Sequence, residues 1–194
     1  MKVVYHGVPR DMIGDTLYPL NQLQAVAPSA YEFQRSKYTG REGVLDFRVP
    51  GTDLLFNDTL HCSAVNPALL LDARRRLGVA QPMMMSGLFF AIPLERITIH
   101  RVVWYSCKTI WINGAPDEDV PPVPPEDEFE PFDPGRYEEL SAPTSAHIAF
   151  LERKAAAGRR ALMFVHIPHV LVGGPIDVSG LMPIEWQPSG TPSR

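Results

Sequence analysis

Twenty prolines stand among the 194 residues, and they limit what this chain can fold into more than any other feature. A proline lacks the backbone donor that a helix interior or a central strand needs. The chain is thereby cut into short segments whose type is read from their apolar pattern. Residues 2–6, 59–65, 88–92, 97–105, 108–112, 161–165 and 169–172 are apolar and rich in β-branched or aromatic side chains, and they predict short strands. A last strand is expected near residues 184–186. Helices are fewer. Residues 20–26, bracketed by Pro19 and Pro28, read as a short helical turn, and residues 29–38 as a helix stopped by Gly40. The clearest helix start is Asn66 as N-cap with Pro67 at the first position; Leu70, Ala73 and Leu77 form its apolar face and Gly78 ends it. Residues 145–157 form another, with Ile148 and Leu151 on one face and Gly158 as its stop. Short strands outnumber helices and no strand–helix–strand alternation occurs, so the chain reads as α+β rather than doubly wound.

The chain is long enough for one well-cored domain, expected over residues 1–186 with a disordered tail at 187–194. Its N-terminus carries no signal-peptide core and no stretch reaches the length of a membrane span, so a cytoplasmic, non-membrane protein is expected. Cys62 and Cys107 lie in apolar runs without metal-type spacing and read as buried reduced thiols. Met83, Met84 and Met85 read as core filler, and Arg74, Arg75 and Arg76 as a solvated basic last turn of their helix.

Charge is unevenly spread. Of 22 acidic residues, ten fall between Asp117 and Glu139, where Arg136 is the one base; elsewhere 17 bases face 12 acids. Seven prolines share that stretch, so residues 114–136 are expected to form a long acidic surface loop. The mildly basic remainder tolerates an anionic ligand but lacks the dense Lys/Arg patch of a nucleic-acid binder. Neither His-Glu-x-x-His nor paired Cys-x-x-Cys occurs, and Pro168 separates His166 from His169, so no metal site is expected. The Gly-x-Ser-x-Gly elbow of a serine hydrolase is also missing.

One stretch does suggest chemistry. In Val3-Val4-Tyr5-His6-Gly7 a buried strand ends in a histidine, and the glycine lets its backbone approach a ligand closely. The ring offers a nitrogen to a ligand hydroxyl, while a bare Gly7 N–H and C=O suit a carboxamide, as in nicotinamide riboside. The plain structural reading is a core strand whose histidine is satisfied by a neighbour.

Taken with Gly14-Asp15-Thr16-Leu17-Tyr18-Pro19, Thr59-Leu60-His61-Cys62-Ser63 and His169-Val170-Leu171-Val172, this stretch resembles the ADP-ribosyltransferase-like superfamily. The likeness covers about a third of the chain in separate islands. It is nearest the branch with a second histidine and an apolar third position, which includes NAD-dependent RNA 2′-phosphotransferases and rifamycin ADP-ribosyltransferases. The resemblance implies a single domain with a split, strongly bent mixed β-sheet and a cleft between its halves. It also implies NAD as substrate without a metal, and ADP-ribosyl transfer to an acceptor: a small molecule, a phosphate-bearing nucleic acid or a protein. It assigns catalytic positions to His6, His61 and Val170, the last where other branches keep a glutamate. Tyr5, His6, Gly7, Arg10 and Ser63 would bind the cofactor, Arg10 by gripping the pyrophosphate. With no glutamate on residues 164–172, the acceptor would be a competent nucleophile already, such as a phosphate or an activated hydroxyl; otherwise a base would come from Asp58 or Glu185. The competing expectation is a non-catalytic binding module on the same scaffold, its acidic loop recruiting a basic partner.

Overall fold

The computed structural model describes residues 1–10, 12–40, 42–79, 87–109 and 123–185. Their strands form a seven-stranded sheet in the order β6-β5-β7-β3-β1-β4-β9 and a two-stranded sheet of β2 and β8. The strands are β1 Val3–Gly7, β2 Thr16–Leu17, β3 Thr59–Ser63, β4 Leu88–Pro93, β5 Arg101–Tyr105, β6 Phe129–Pro131, β7 His169–Gly173, β8 Ile176–Asp177 and β9 Ile184–Glu185. The helices are α1 Leu20–Val26, α2 Pro28–Ser36, α3 Pro67–Arg76, α4 Leu94–Ile97, α5 Tyr137–Leu140 and α6 Ser145–Ala156. The protein is thus α+β. Among the described residues every ladder is antiparallel, which corrects the expected mixed sheet. No strand here returns parallel to its neighbour through a crossover helix, the connection a parallel pair requires.

Alternation along β3 and β7 gives the sheet two buried faces. Leu60, Cys62, Val170 and Val172 pack with Val4, Ile92 and Trp104 on one side. On the other, Leu171, Val103 and Tyr105 meet Val44, Val49 and Phe56. Each fully buried aliphatic side chain stabilises by about 1.5–3 kcal/mol, so the central strands anchor both layers. The Asn66 side chain accepts from the Ala68 N–H at 2.9 Å, capping α3 as expected, a contact worth about 1 kcal/mol. Thr144 caps α6 through the His147 N–H at 3.0 Å.

Arg74, expected on a solvated face, is instead fully buried, its Nη1 donating to Ala161 O at 2.9 Å. Two further expectations fail. Residues 161–165 form turns, not a strand. Ala161, Met163, Val165 and Ile167 are all buried with the spacing of a strand, yet they pack beneath α3 and α6 instead of entering a ladder. The second concerns the acidic loop, whose described part, residues 123–136, is ordered into two short 3₁₀ turns and β6, which pairs with β5. Its carboxylates are used: Glu128 is buried and accepts the Lys108 and Thr109 N–H groups at 2.8 and 2.7 Å, while Glu130 and Glu139 hold Arg136. Residues 114–122, the expected tail at 187–194, the methionines 83–85 and residues 110–112 of the strand expected at 108–112 lie outside the described residues; residues 108 and 109 of that strand form none. The remaining strand misplacement is at 97–100, where Pro93 starts α4 and the strand begins only at Arg101. Among the described residues no helix is long and apolar enough to cross a membrane.

Candidate functional site

Among the described residues, one ladder of the seven-stranded sheet is reduced to a single pair. β1 pairs with β4 at five positions and β3 with β7 at five, but β1 meets β3 only at Tyr5↔Ser63. The Val8 N–H donates to Leu88 O and the Leu94 N–H to Lys2 O. Even-numbered residues therefore turn their backbone groups toward β4, and by the alternation of an antiparallel ladder Gly7 turns its own toward β3. Beyond the single pair the strands part, so the Gly7 N–H and C=O face the opening, where continued register would have set His61.

Two histidines border that opening. The Nδ1 of His6 lies 2.7 Å from Gly7 O. A carbonyl only accepts, so Nδ1 carries the proton and Nε2 is left as an acceptor. Burial lowers the pKa of His6, against the opposing pull of its Gly7 bond. His61 stands edge-on to Phe56, ring centroids 4.3 Å apart, with Nε2 3.4 Å from Phe56 O. Burial, helped by the proximity of His169 and His6, pushes His61 down to about 3. His169, directly across from Ser63 with its ring 6.3 Å from that of His61, is pushed by burial to about 4. At neutral pH His6, His61 and His169 are all uncharged imidazoles.

Next to the opening lies a cavity of 420 Å³ bordered by His6, Asn57, Thr59 and His61 at the sheet. Its other walls come from residues 9–20 and from α1 and α2, whose Leu20, Leu23 and Ala30 face it with Met12, Ile13 and Leu17. Neither helix has a fully buried residue. Lys37 is the one cation among the described lining residues, and its Nζ donates to Gln34 Oε1 at 2.6 Å. No carboxylate is among them. The volume and mainly apolar lining with a few polar groups suit a small organic ligand.

His6 and His61 are brought together; the other predicted residues are not part of the lining. Arg10 is exposed and Tyr5 half-buried, its pKa raised by burial and by Tyr137. Ser63 is buried with its hydroxyl turned onto Val65, accepting the Val65 N–H at 3.1 Å. Val170 lies in the core beside Cys62 and Trp104, on the sheet face opposite His61. On the same strand Leu171, directly across from His61, and His169 share the His61 face. Asp58 accepts from Asn21 Nδ2 at 2.7 Å and the Leu55 N–H at 2.8 Å, so both its oxygens are engaged. Glu185 is exposed on β9. Cys62 and Cys107 are free, buried thiols that burial pushes up to about 12 and 11. Sequence reasoning missed Asn57, Thr59 and Lys37; a polar pair, Asn57-Asp58, directly before an apolar strand was the available signal for the first. Among the described residues no group of three or more His, Cys, Asp or Glu side chains is arranged to hold a metal ion.

Compared with known proteins, the chain matches no family model, no curated protein and no solved structure.

Proposed function

We propose that this cavity binds NAD with the nicotinamide end in the opening between β1 and β3, and that the protein transfers ADP-ribose to an acceptor. The observation that carries the reading is the Gly7 backbone, which lies outside the cavity lining but turns toward the opening beside the neutral His6 and His61. The Gly7 N–H would donate to the carboxamide oxygen, and its C=O, which has a second lone pair, would accept a carboxamide N–H. His6 Nε2 would accept from a ribose hydroxyl. Heterolysis leaves the C1′–N electron pair on nicotinamide, so the departing ring becomes neutral and needs no acid catalyst. Oxocarbenium charge then spreads over C1′ and the ring oxygen. Neutral imidazoles add no opposing positive charge, and apolar walls keep water from capturing the cation. The parting of the sheet at Tyr5↔Ser63 supports an ADP-ribosyltransferase-like split sheet, and two buried free thiols support a reducing, cytoplasmic setting.

The acceptor bonds to C1′ and must lose its proton. With no carboxylate among the described lining residues, the reading requires an acceptor that arrives as an anion or is easily deprotonated. The same observation favours a second reading, in which the cavity binds its ligand without turnover. Incubating the protein with NAD and quantifying free nicotinamide by chromatography separates the two. Release that His6→Ala abolishes supports transfer or hydrolysis; binding without release supports the module.

A further inference from the structure

Among the polar groups on the cavity wall, Asn57 is deeply buried yet little used by its own fold. Its side chain is 2% exposed and borders the cavity. An amide offers two donors and two acceptor positions. Here its only hydrogen bond to a described residue is a long one, Nδ2 to Val44 O at 3.4 Å. Its neighbours differ. The Thr59 hydroxyl donates to Phe56 O at 2.6 Å, and both Asp58 oxygens are occupied by Asn21 and Leu55. The Asn57 amide thus keeps most of its hydrogen-bonding capacity for whatever fills the cavity.

We propose that Asn57 is a specificity-determining residue that recognises an uncharged ligand edge presenting a hydrogen-bond donor beside an acceptor. An amide or an amino-heterocycle has such an edge, and a planar side-chain amide pairs with it through two parallel bonds, as Asn does with adenine. A carboxylate or phosphate presents acceptors alone and would leave the amide oxygen of Asn57 facing negative charge. The surroundings agree, since His6 and His61 are uncharged and Lys37 is the one cation among the described lining residues. The inference rests on the reading above for the cavity but not for turnover, and it applies to a ligand that is never cleaved.

Two probe pairs separate the sources of such an edge: nicotinamide against nicotinate, and adenosine against purine riboside, which lacks the amino group. Thermal midpoints and calorimetric titrations are compared for the parent, Asn57→Leu and Asn57→Asp. In the free protein Asn57→Leu should keep the midpoint or raise it by about 1–3 °C, because one long hydrogen bond is exchanged for apolar burial of similar shape. The parent should bind at least one amide-type probe in preference to its counterpart. Asn57→Leu should weaken that probe about tenfold or more, and Asn57→Asp should weaken it too, for want of the donor. A lowered midpoint or failed folding of Asn57→Leu would make the Val44 contact structural and overturn the inference. So would undiminished probe binding in Asn57→Leu, or a parent that binds neither probe. Probe binding that depends on Asn57, without nicotinamide release from NAD, would sink the transfer reading and leave this one standing.

Discussion

Tyr5 and Ser63 are the one pair of residues in register between β1 and β3, although each strand has five such pairs with its other neighbour. A sheet that parts after one pair leaves backbone donors and acceptors facing a gap, an arrangement that costs stability unless water or a ligand fills it. Here His6 and His61 stand beside the gap and both line the cavity, so the break in the ladder lies next to it.

His6→Ala tests the histidine that fixes this edge. It removes the Nδ1–H bond to Gly7 O and the Nε2 acceptor together. Losing a buried hydrogen bond to a ligand costs about 1–3 kcal/mol, so NAD affinity measured by calorimetry should fall roughly 10- to 100-fold. Equal affinity in the variant would place the ligand elsewhere.

Stability should fall as the solution is acidified below about pH 6.5. Burial lowers the pKa values of His61 to about 3 and His169 to about 4, while the unfolded chain takes up these protons near 6.5. The unfolded state binds more protons between those limits, so the stabilisation is complete above pH 6.5 and is lost toward pH 4. Each group contributes a slope of about 1.4 kcal/mol per pH unit within that window. His169→Phe should flatten the dependence of urea midpoint on pH between 6.5 and 4.5; an unchanged slope would show that His169 is not held neutral.

Glu128 joins the acidic segment to the sheet through two backbone N–H groups. Glu128→Gln keeps the size but gives one of those donors an NH₂ to face. The expected loss is about 2 kcal/mol, in line with hydrogen bonds to a charged acceptor, read as a lower midpoint in chemical denaturation. A midpoint equal to the parent's would mean that the carboxylate does not anchor residues 108 and 109.

Val170→Glu should unfold the protein rather than install a catalytic base. The side chain is fully buried on the Cys62 and Trp104 face, away from His61. A carboxylate there would lie unpaired among apolar groups. Circular dichroism showing a native fold, with faster nicotinamide release, would contradict this placement.

The strands were legible where β-branched and aromatic residues form compact runs, as in β1, β3 and β7, and α3 was legible from Asn66 and Pro67. Residues 161–165 misled because burial at every second position does not by itself create a ladder partner. The strand β6 was hidden by the prolines around it, although an edge strand tolerates Pro131. His6 and His61 could be singled out because each ends or interrupts an apolar run. Choosing between Val170 and His169 was not possible from the residues alone, since a one-position shift in register exchanges the sheet faces. Most of the cavity wall comes from residues 9–38, whose approach to β3 depends on long-range contacts such as Asn21 with Asp58.

The central claim is that the ligand occupies the opening at Gly7. Titrating NAD into uniformly ¹⁵N-labelled protein and following backbone amide shifts tests it directly. The Gly7 N–H signal should move strongly downfield as it gains an acceptor, with smaller shifts at His6, Asn57 and His61, and His6→Ala should suppress the response. An unmoved Gly7 signal at saturating NAD, or shifts confined to residues away from the β1–β3 opening, would contradict the account.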